Sequence, residues 1–225
     1  MRLAISLYPV VIAVALTISP ARSQDIGWFK FYAVHIDRTP KQSWIGNGVY
    51  LGRGIVITAA HVAGLGFWRR PRVEIGGNEL PTVVIKDGHF HGVDLTLLGV
   101  EERDLPVSIG LRRMPFCPKP SYGGEPVVVV TPEGATLSHV IPPALLPRNL
   151  SVEHRTAITY VAGSGTSGAG VFDATKKCLL GIITQKLTVN GIKQYNGAAS
   201  KQRDVALYFE PVFEIADFMP STVRP

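Results

Sequence analysis

Short apolar runs, many of them alternating with polar residues, recur along the chain with glycine, proline and other turn formers between them. A period of two marks a strand with one buried face, whereas an amphipathic helix repeats every three or four positions. The pattern predicts strands over 48–51, 54–58, 80–85 and 95–100 in the first half. In the second half it predicts them over 126–131, 136–141, 156–161, 179–184 and 205–209. A proline- and glycine-rich stretch, 115–124, separates the two sets and reads as a linker. A short helix is expected over 213–219, where Pro220 stops it. Two all-β units of about ninety residues each follow, and many short strands with frequent turns point to barrels or sandwiches. The polar, glycine-containing stretch 186–203 lies between two good strands and reads as a mobile loop or a solvated hairpin.

Composition narrows the function classes. The chain of 225 residues is 46% hydrophobic and 18% charged, enough for a real core and too apolar for disorder. Its net charge of +6 is scattered, without the clusters of basic and aromatic residues that nucleic-acid binding uses, so no nucleic-acid partner is expected. Arg2, the apolar run 3–18, and the small residues Ala21 and Ser23 before Gln24 have the form of a signal peptide over 1–23. An uncleaved anchor is the competing reading, but the run could barely span a membrane, since roughly 20 apolar residues are normally needed. No later stretch is apolar enough, so no stable membrane span is expected after cleavage, and the protein is expected in a periplasm or outside the cell. Export would let Cys117 and Cys178 form a lasting disulfide, with two buried free thiols as the alternative. Asn149, Leu150 and Ser151 match a glycosylation acceptor, a triplet that also arises by chance.

Four glycines fall between 163 and 170, flanked by strand-like runs. A flexible tether is one reading, but the chain continues in the same unit and leaves nothing to tether. A tight loop fits better: glycines on both sides of Ser167 admit positive φ and let the amides of Gly165 and Ser167 converge on a developing oxyanion. A serine so presented needs a base. His61 follows the apolar strand 54–58 through two alanines, at a strand end from which a side chain reaches a cleft. His89 and His91 alternate around Phe90 and with Asp87 or Asp94 would make a partial zinc site, but a full ligand set is missing and no metal is expected.

Thr58-Ala59-Ala60-His61 resembles the histidine motif of trypsin-like serine peptidases, Gly165-Thr166-Ser167-Gly168 their nucleophile motif, and the run from Asp94 to Leu98 their aspartate strand. The order His, Asp, Ser and the spacings of 33 and 73 residues are those of compact bacterial members. The resemblance covers roughly 46–219 and implies an all-β chymotrypsin-like fold, two antiparallel Greek-key β-barrels of six strands with a short C-terminal helix over 212–219. It divides the mature chain into an N-terminal barrel with His61 and Asp94 (24–116) and a C-terminal barrel with Ser167 (117–225). Ser167 is then the nucleophile, His61 the general base, Asp94 the carboxylate that orients it, and the Gly165 and Ser167 amides the oxyanion hole. No cofactor is needed, and the partner is a protein or peptide substrate. A Cys117–Cys178 bridge would fasten the linker to the second barrel.

Departures from that family bear on control and specificity. Thr166 stands where digestive members carry an Asp that pairs with a newly cut N-terminus, and the mature start lacks the Ile-Val-Gly-Gly type of sequence. Activation by cleavage is therefore not expected. Val161 stands where enzymes that cut after Lys or Arg have Asp, and Ile183 where glutamate-specific relatives have His. With Thr184, Gln185 and Lys186 these residues are expected to line the substrate pocket, which favours a small or apolar residue at P1, the position before the scissile bond. Lys186, where many relatives have Gly, narrows or charges it. Three other readings remain open: a catalytically silent binding protein on the same fold, a quality-control protease resembling the HtrA family without its PDZ domain, and an ester hydrolase. The last lacks the Gly-x-Ser-x-Gly elbow.

Overall fold

A computed structural model describes residues 26–37, 46–64, 70–89, 92–151, 156–159, 165–190 and 202–223. The proposed leader, His91 and Val161 lie outside the described residues. Among the described residues, thirteen strands form two antiparallel sheets. The first holds β1 (Ala33–Asp37), β2 (Gly46–Gly52), β3 (Ile55–Thr58), β4 (Arg72–Ile75), β5 (Asn78–Pro81), β6 (Val83–Asp87) and β7 (Thr96–Gly99), in the order β5-β4-β1-β2-β3-β7-β6. The second holds β8 (Pro126–Val130), β9 (Ala135–His139), β10 (Ala157–Thr159), β11 (Gly170–Asp173), β12 (Leu179–Asn190) and β13 (Gln202–Pro211), in the order β10-β13-β12-β11-β8-β9. Each sheet has two pairings between strands that are not sequence neighbours, β4 with β1 and β3 with β7 in the first, β10 with β13 and β8 with β11 in the second; the runs β4-β1-β2-β3 and β10-β13-β12-β11 have the Greek-key order.

Both sheets curl until their edges meet. β5 and β6 are the edges of the first, yet only Thr82 separates them, so one bent strand pairs with β4 on one side and β7 on the other. Thr82 is buried at the bend, and its hydroxyl donates to the Pro71 carbonyl at 2.5 Å. Counted as one strand, β5 and β6 make the first barrel six-stranded. Edges β9 and β10 of the second sheet join through a bridge between Val140 and Ile158, with the Ser138 hydroxyl donating to the Thr159 carbonyl at 3.0 Å. The chymotrypsin-like two-barrel fold is therefore present, closed by a helix over Val212–Phe218 as expected.

All seven residues of β2 and all four of β11 are buried, a pattern that departs from period two. Both strands are covered on two faces, because each barrel packs against the other there. A side chain at Gly170 would collide with Val49 of β2 and with Phe172. The Phe29 and Phe172 rings stack 4.8 Å apart, and one hydrophobic cluster runs from the first barrel through Phe172 and Ile182 to Phe218. Lys86 of the first barrel donates to the Phe218 carbonyl at 2.7 Å, tying in the C-terminal helix.

Several expectations change. The strand expected over 80–85 is broken at Thr82, because a continuous strand could not serve both edges of a barrel. Strands β1 and β4 do alternate, with Val34 and Ile36 around His35 and Val73 and Ile75 around Glu74, but at five and four residues the runs were too short to be expected. The stretch 186–203 contributes long arms of a hairpin, since β12 runs on to Asn190 and β13 begins at Gln202. The linker is not free of structure: Phe116 bridges Leu179, and the Cys117 amide donates to the Leu179 carbonyl at 3.0 Å.

Cys117 and Cys178 are joined by a disulfide with their Cα atoms 5.0 Å apart. The bridge spans 61 residues, and closing a loop of that length in the unfolded chain is worth about 4 kcal/mol before strain is subtracted. Replacing both cysteines by serine is expected to lower unfolding stability by an amount approaching this, read from urea melts. Just upstream, the Asp173 carboxylate accepts the amides of Thr175 and Lys176 at 2.8 Å each, the Thr175 hydroxyl at 2.7 Å, and the Lys176 ammonium. Burial alone would push this carboxyl up, but the bonds from Lys176 and Thr175 outweigh it and hold it well below the usual carboxylate range. A depressed folded value means that the stabilisation is complete above the ordinary Asp value of about 3.9 and is lost as pH falls below it. Asp173→Asn is expected to cost about 2 kcal/mol at neutral pH, with the gap to wild type closing in urea melts run at successively lower pH below about 3.9.

Candidate active site

The antiparallel register of β3 and β7 sets Thr58 opposite Thr96. The chain leaving β3 and the chain entering β7 therefore meet at one end of the barrel. Three residues past Thr58 comes His61, and two before Thr96 comes Asp94, so the register brings them together. Ala59 stays extended, the chain turns into the single helical turn Ala60–Ala63, and His61 faces Asp94 from there. Its Nδ1 lies 2.8 Å from Asp94 Oδ2, and its backbone amide donates to Asp94 Oδ1 at 3.0 Å. Both carboxylate oxygens are thus engaged by one residue. Asp94 is 6% exposed, while the His61 side chain keeps 31% of its surface open.

Ser167 sits in the turn that enters β11. Gly165 and Gly168 take positive φ, +88° and +81°, the backbone that glycine alone adopts without strain. At Gly168 space is decisive as well, because an added Cβ would run into the carbonyl of Asn47. Backbone bonds pin the far side of the turn to β12: the Gly168 amide donates to the Ile183 carbonyl at 2.7 Å, and the Ile183 amide to the Ala169 carbonyl at 2.9 Å. The near side is pinned to the first barrel, where the Asn47 amide donates to the Ser167 carbonyl at 2.9 Å. A side chain at Gly46 would collide with Val62, the neighbour of His61, and would lie 3.1 Å from the Ser167 carbonyl. The turn carrying Ser167 and the helical turn carrying His61 therefore adjoin across Gly46.

Beside Ser167 opens a cleft of about 290 Å³, bordered by Gly165, Thr166, Ser167, Ile183, Gln185, Lys186 and Leu207. Of the expected pocket residues, Ile183, Gln185 and Lys186 border it, Thr184 is buried and does not, and Val161 lies outside the described residues. Leu207 was not expected, because it comes from β13, forty positions after Ser167, and reaches the cleft only by pairing opposite Lys186. Asn47 was not expected either; the signal for it was an amide side chain between two glycines at the start of an otherwise apolar strand.

A half-buried carboxylate, Glu210, stands near Asp94. Burial pushes the Glu210 carboxyl up; a hydrogen bond from the Tyr208 hydroxyl works against this, and the charges of Glu214 and Asp94 add to the rise. Zinc on Asp87 and Asp94 would compete with bonds already made, since Asp87 accepts the Thr96 hydroxyl at 2.6 Å and Asp94 is held by His61. Cys117, Asp173 and Cys178 also converge, but the two sulfurs are bonded to each other.

No protein-family model matches the chain, and no curated protein matches it in sequence. Solved structures do. The active form of the Rv3671c protease from M. tuberculosis superposes with a TM-score of 0.58 at 18% identity, over 96% of this chain and 92% of that one. Kallikrein-related peptidase 10 in complex with Zn2+ gives 0.59 at 15%, over 87% and 96%. The serine endoprotease from Yersinia pestis gives 0.57 at 15%, over 86% of this chain and 63% of that one, so this chain spans less than two thirds of its length. At these identities the likeness is one of fold: the chain has the two-barrel architecture of trypsin-like serine proteases.

Proposed function

We propose that the protein is a serine endopeptidase. The observation that carries this reading is the pair of bonds from His61 to Asp94 on a turn that adjoins the turn carrying Ser167, beside which a cleft opens. A carboxylate accepting from Nδ1 leaves Nε2 as the basic nitrogen, the tautomer a general base for a serine hydroxyl requires. Ser167 attacks the peptide carbonyl as His61 takes its proton. The Gly165 and Ser167 amides donate to the tetrahedral oxyanion, His61 then protonates the leaving amine, and water releases the acyl group by the same route. Asp94 holds the ring and stabilises the imidazolium. The fold shared with serine proteases supports the same chemistry.

The walls of the cleft favour a small or apolar P1 side chain. Ile183 and Leu207 supply apolar surface, Thr166 and Gln185 are neutral, and the charge that borders it is the ammonium of Lys186. A basic P1 side chain would be desolvated there against a like charge. Export to a periplasm or out of the cell, with the leader cleaved, remains the proposed destination, compatible with the disulfide; no helix among the described residues is long and apolar enough to cross a membrane.

Two experiments check this. The purified protein is expected to react with a fluorophosphonate at neutral pH, Ser167→Ala not at all, and Asp94→Asn with a kcat for peptide hydrolysis reduced about 10⁴-fold. A folded wild type that stays unlabelled would remove the peptidase reading. In a peptide library, kcat/KM for Ala, Val or Leu at P1 is expected to exceed that for Lys or Arg by about 100-fold or more, and a preference for basic P1 would overturn the pocket assignment.

A further inference from the structure

We infer that Asn47 is a positioning residue that holds the oxyanion-binding turn in its working shape from the opposite barrel. The inference rests on the peptidase reading above and goes beyond it. Asn47 is 1% exposed and lies at the start of β2, a strand of the first barrel. Its side-chain amide donates to the Gly165 carbonyl and lies 3.5 Å from the Ser167 carbonyl, while its backbone amide donates to that same Ser167 carbonyl at 2.9 Å. Both side-chain partners are carbonyl oxygens, so the NH₂ end must face them, and the orientation of the amide is fixed by its surroundings. The Asn47 carbonyl in turn accepts the Thr58 hydroxyl at 2.5 Å, on the strand that leads into His61.

The consequence concerns the peptide planes. A backbone N–H points away from the carbonyl of its own peptide unit. Holding the Gly165 carbonyl towards Asn47 fixes the plane between Gly165 and Thr166, and holding the Ser167 carbonyl fixes the plane that follows. Between them lies the Thr166–Ser167 unit, which carries the Ser167 amide. Gly165, at φ +88°, is free of side-chain restraint and would otherwise allow the turn to rotate. Thr166 is uncharged and offers no ion pair to stop it. The Asn47 amides therefore supply, from within the folded chain, a restraint on the Ser167 amide that meets the oxyanion, and the Asn47 carbonyl links that restraint through Thr58 to the segment bearing His61.

A donor role and a space-filling role predict different orders of effect. Asn47→Asp keeps the shape and replaces the donor with an acceptor facing two carbonyls. Asn47→Ser is smaller and keeps a short hydroxyl donor and the backbone bond. If the donor matters, kcat for a peptide ester falls about 10-fold in Asn47→Ser and about 100-fold or more in Asn47→Asp, with KM changed less than about threefold. Affinity for a peptidyl boronic acid, which presents a tetrahedral oxygen to the same amides, falls by the same factors, while affinity for the corresponding product peptide is unchanged. Should Asn47→Asp fail to fold, Asn47→Ser alone carries the test through its boronic acid and product affinities. Asp at or near wild-type kcat, or boronic acid and product affinities falling together, would overturn the inference. A wild type inert to the boronic acid would instead overturn the peptidase reading, so the two failures are distinguishable.

Discussion

The contact that everything at the candidate site depends on is the one between the start of β2 and the turn carrying Ser167. His61 and Asp94 belong to one barrel and Ser167 to the other. Nothing local in the chain can bring them together, because 106 residues separate His61 from Ser167. The distance is set where Asn47 donates through its backbone and side-chain amides to the carbonyls of Ser167 and Gly165. Close approach is possible because Gly46, Gly168 and Gly170 carry no Cβ where the strands meet. The hydrophobic packing of β2 against β11 holds the barrels face to face, but it is non-directional. The hydrogen bonds at the strand ends give the contact its register.

Within each barrel a simpler constraint operates. Antiparallel pairing of β3 with β7 fixes which residues lie at the barrel rim, and His61 and Asp94 follow from that register with a few residues of turn on either side. The same logic places Leu207 and Lys186 across from each other beside the cleft. Side chains that border the cleft thus come from the paired interiors of β12 and β13 and from the turn carrying Ser167, an arrangement that limits their freedom before any substrate arrives. Asp94 gives up both oxygens to His61 and is nearly buried, so the histidine ring is oriented by bonds on two of its groups.

Much of this was legible in the sequence, and the parts that were not share a cause. Alternation revealed most strands, and the flanks of His61 and Asp94 revealed that both sit at strand ends, because these signals are local. The bend at Thr82 was hidden because β5 and β6 read as one continuous run; only closure of the barrel explains why a single strand must pair on two sides. β1 was hidden because its alternation runs over only five residues. Leu207 and Asn47 were missed because their roles are defined by partners far along the chain, at Lys186 and at Gly165 and Ser167. An asparagine between glycines has many explanations in one dimension and one in three. Thr184 shows the reverse error: adjacency to Ile183 and Gln185 suggested a place at the cleft, yet its side chain is buried in the protein.

In the proposed peptidase, Ser167, His61 and the Gly165 and Ser167 amides form one catalytic centre across the two barrels. Its most direct test is the crystal structure of the protein soaked with a peptidyl boronic acid. The expected structure has a covalent bond from Ser167 Oγ to boron, one boronate oxygen within hydrogen-bond distance of the Gly165 and Ser167 amides, and His61 Nε2 beside a second oxygen. Boron attached to another residue, or attached to Ser167 with its oxygens turned away from both amides, would contradict it.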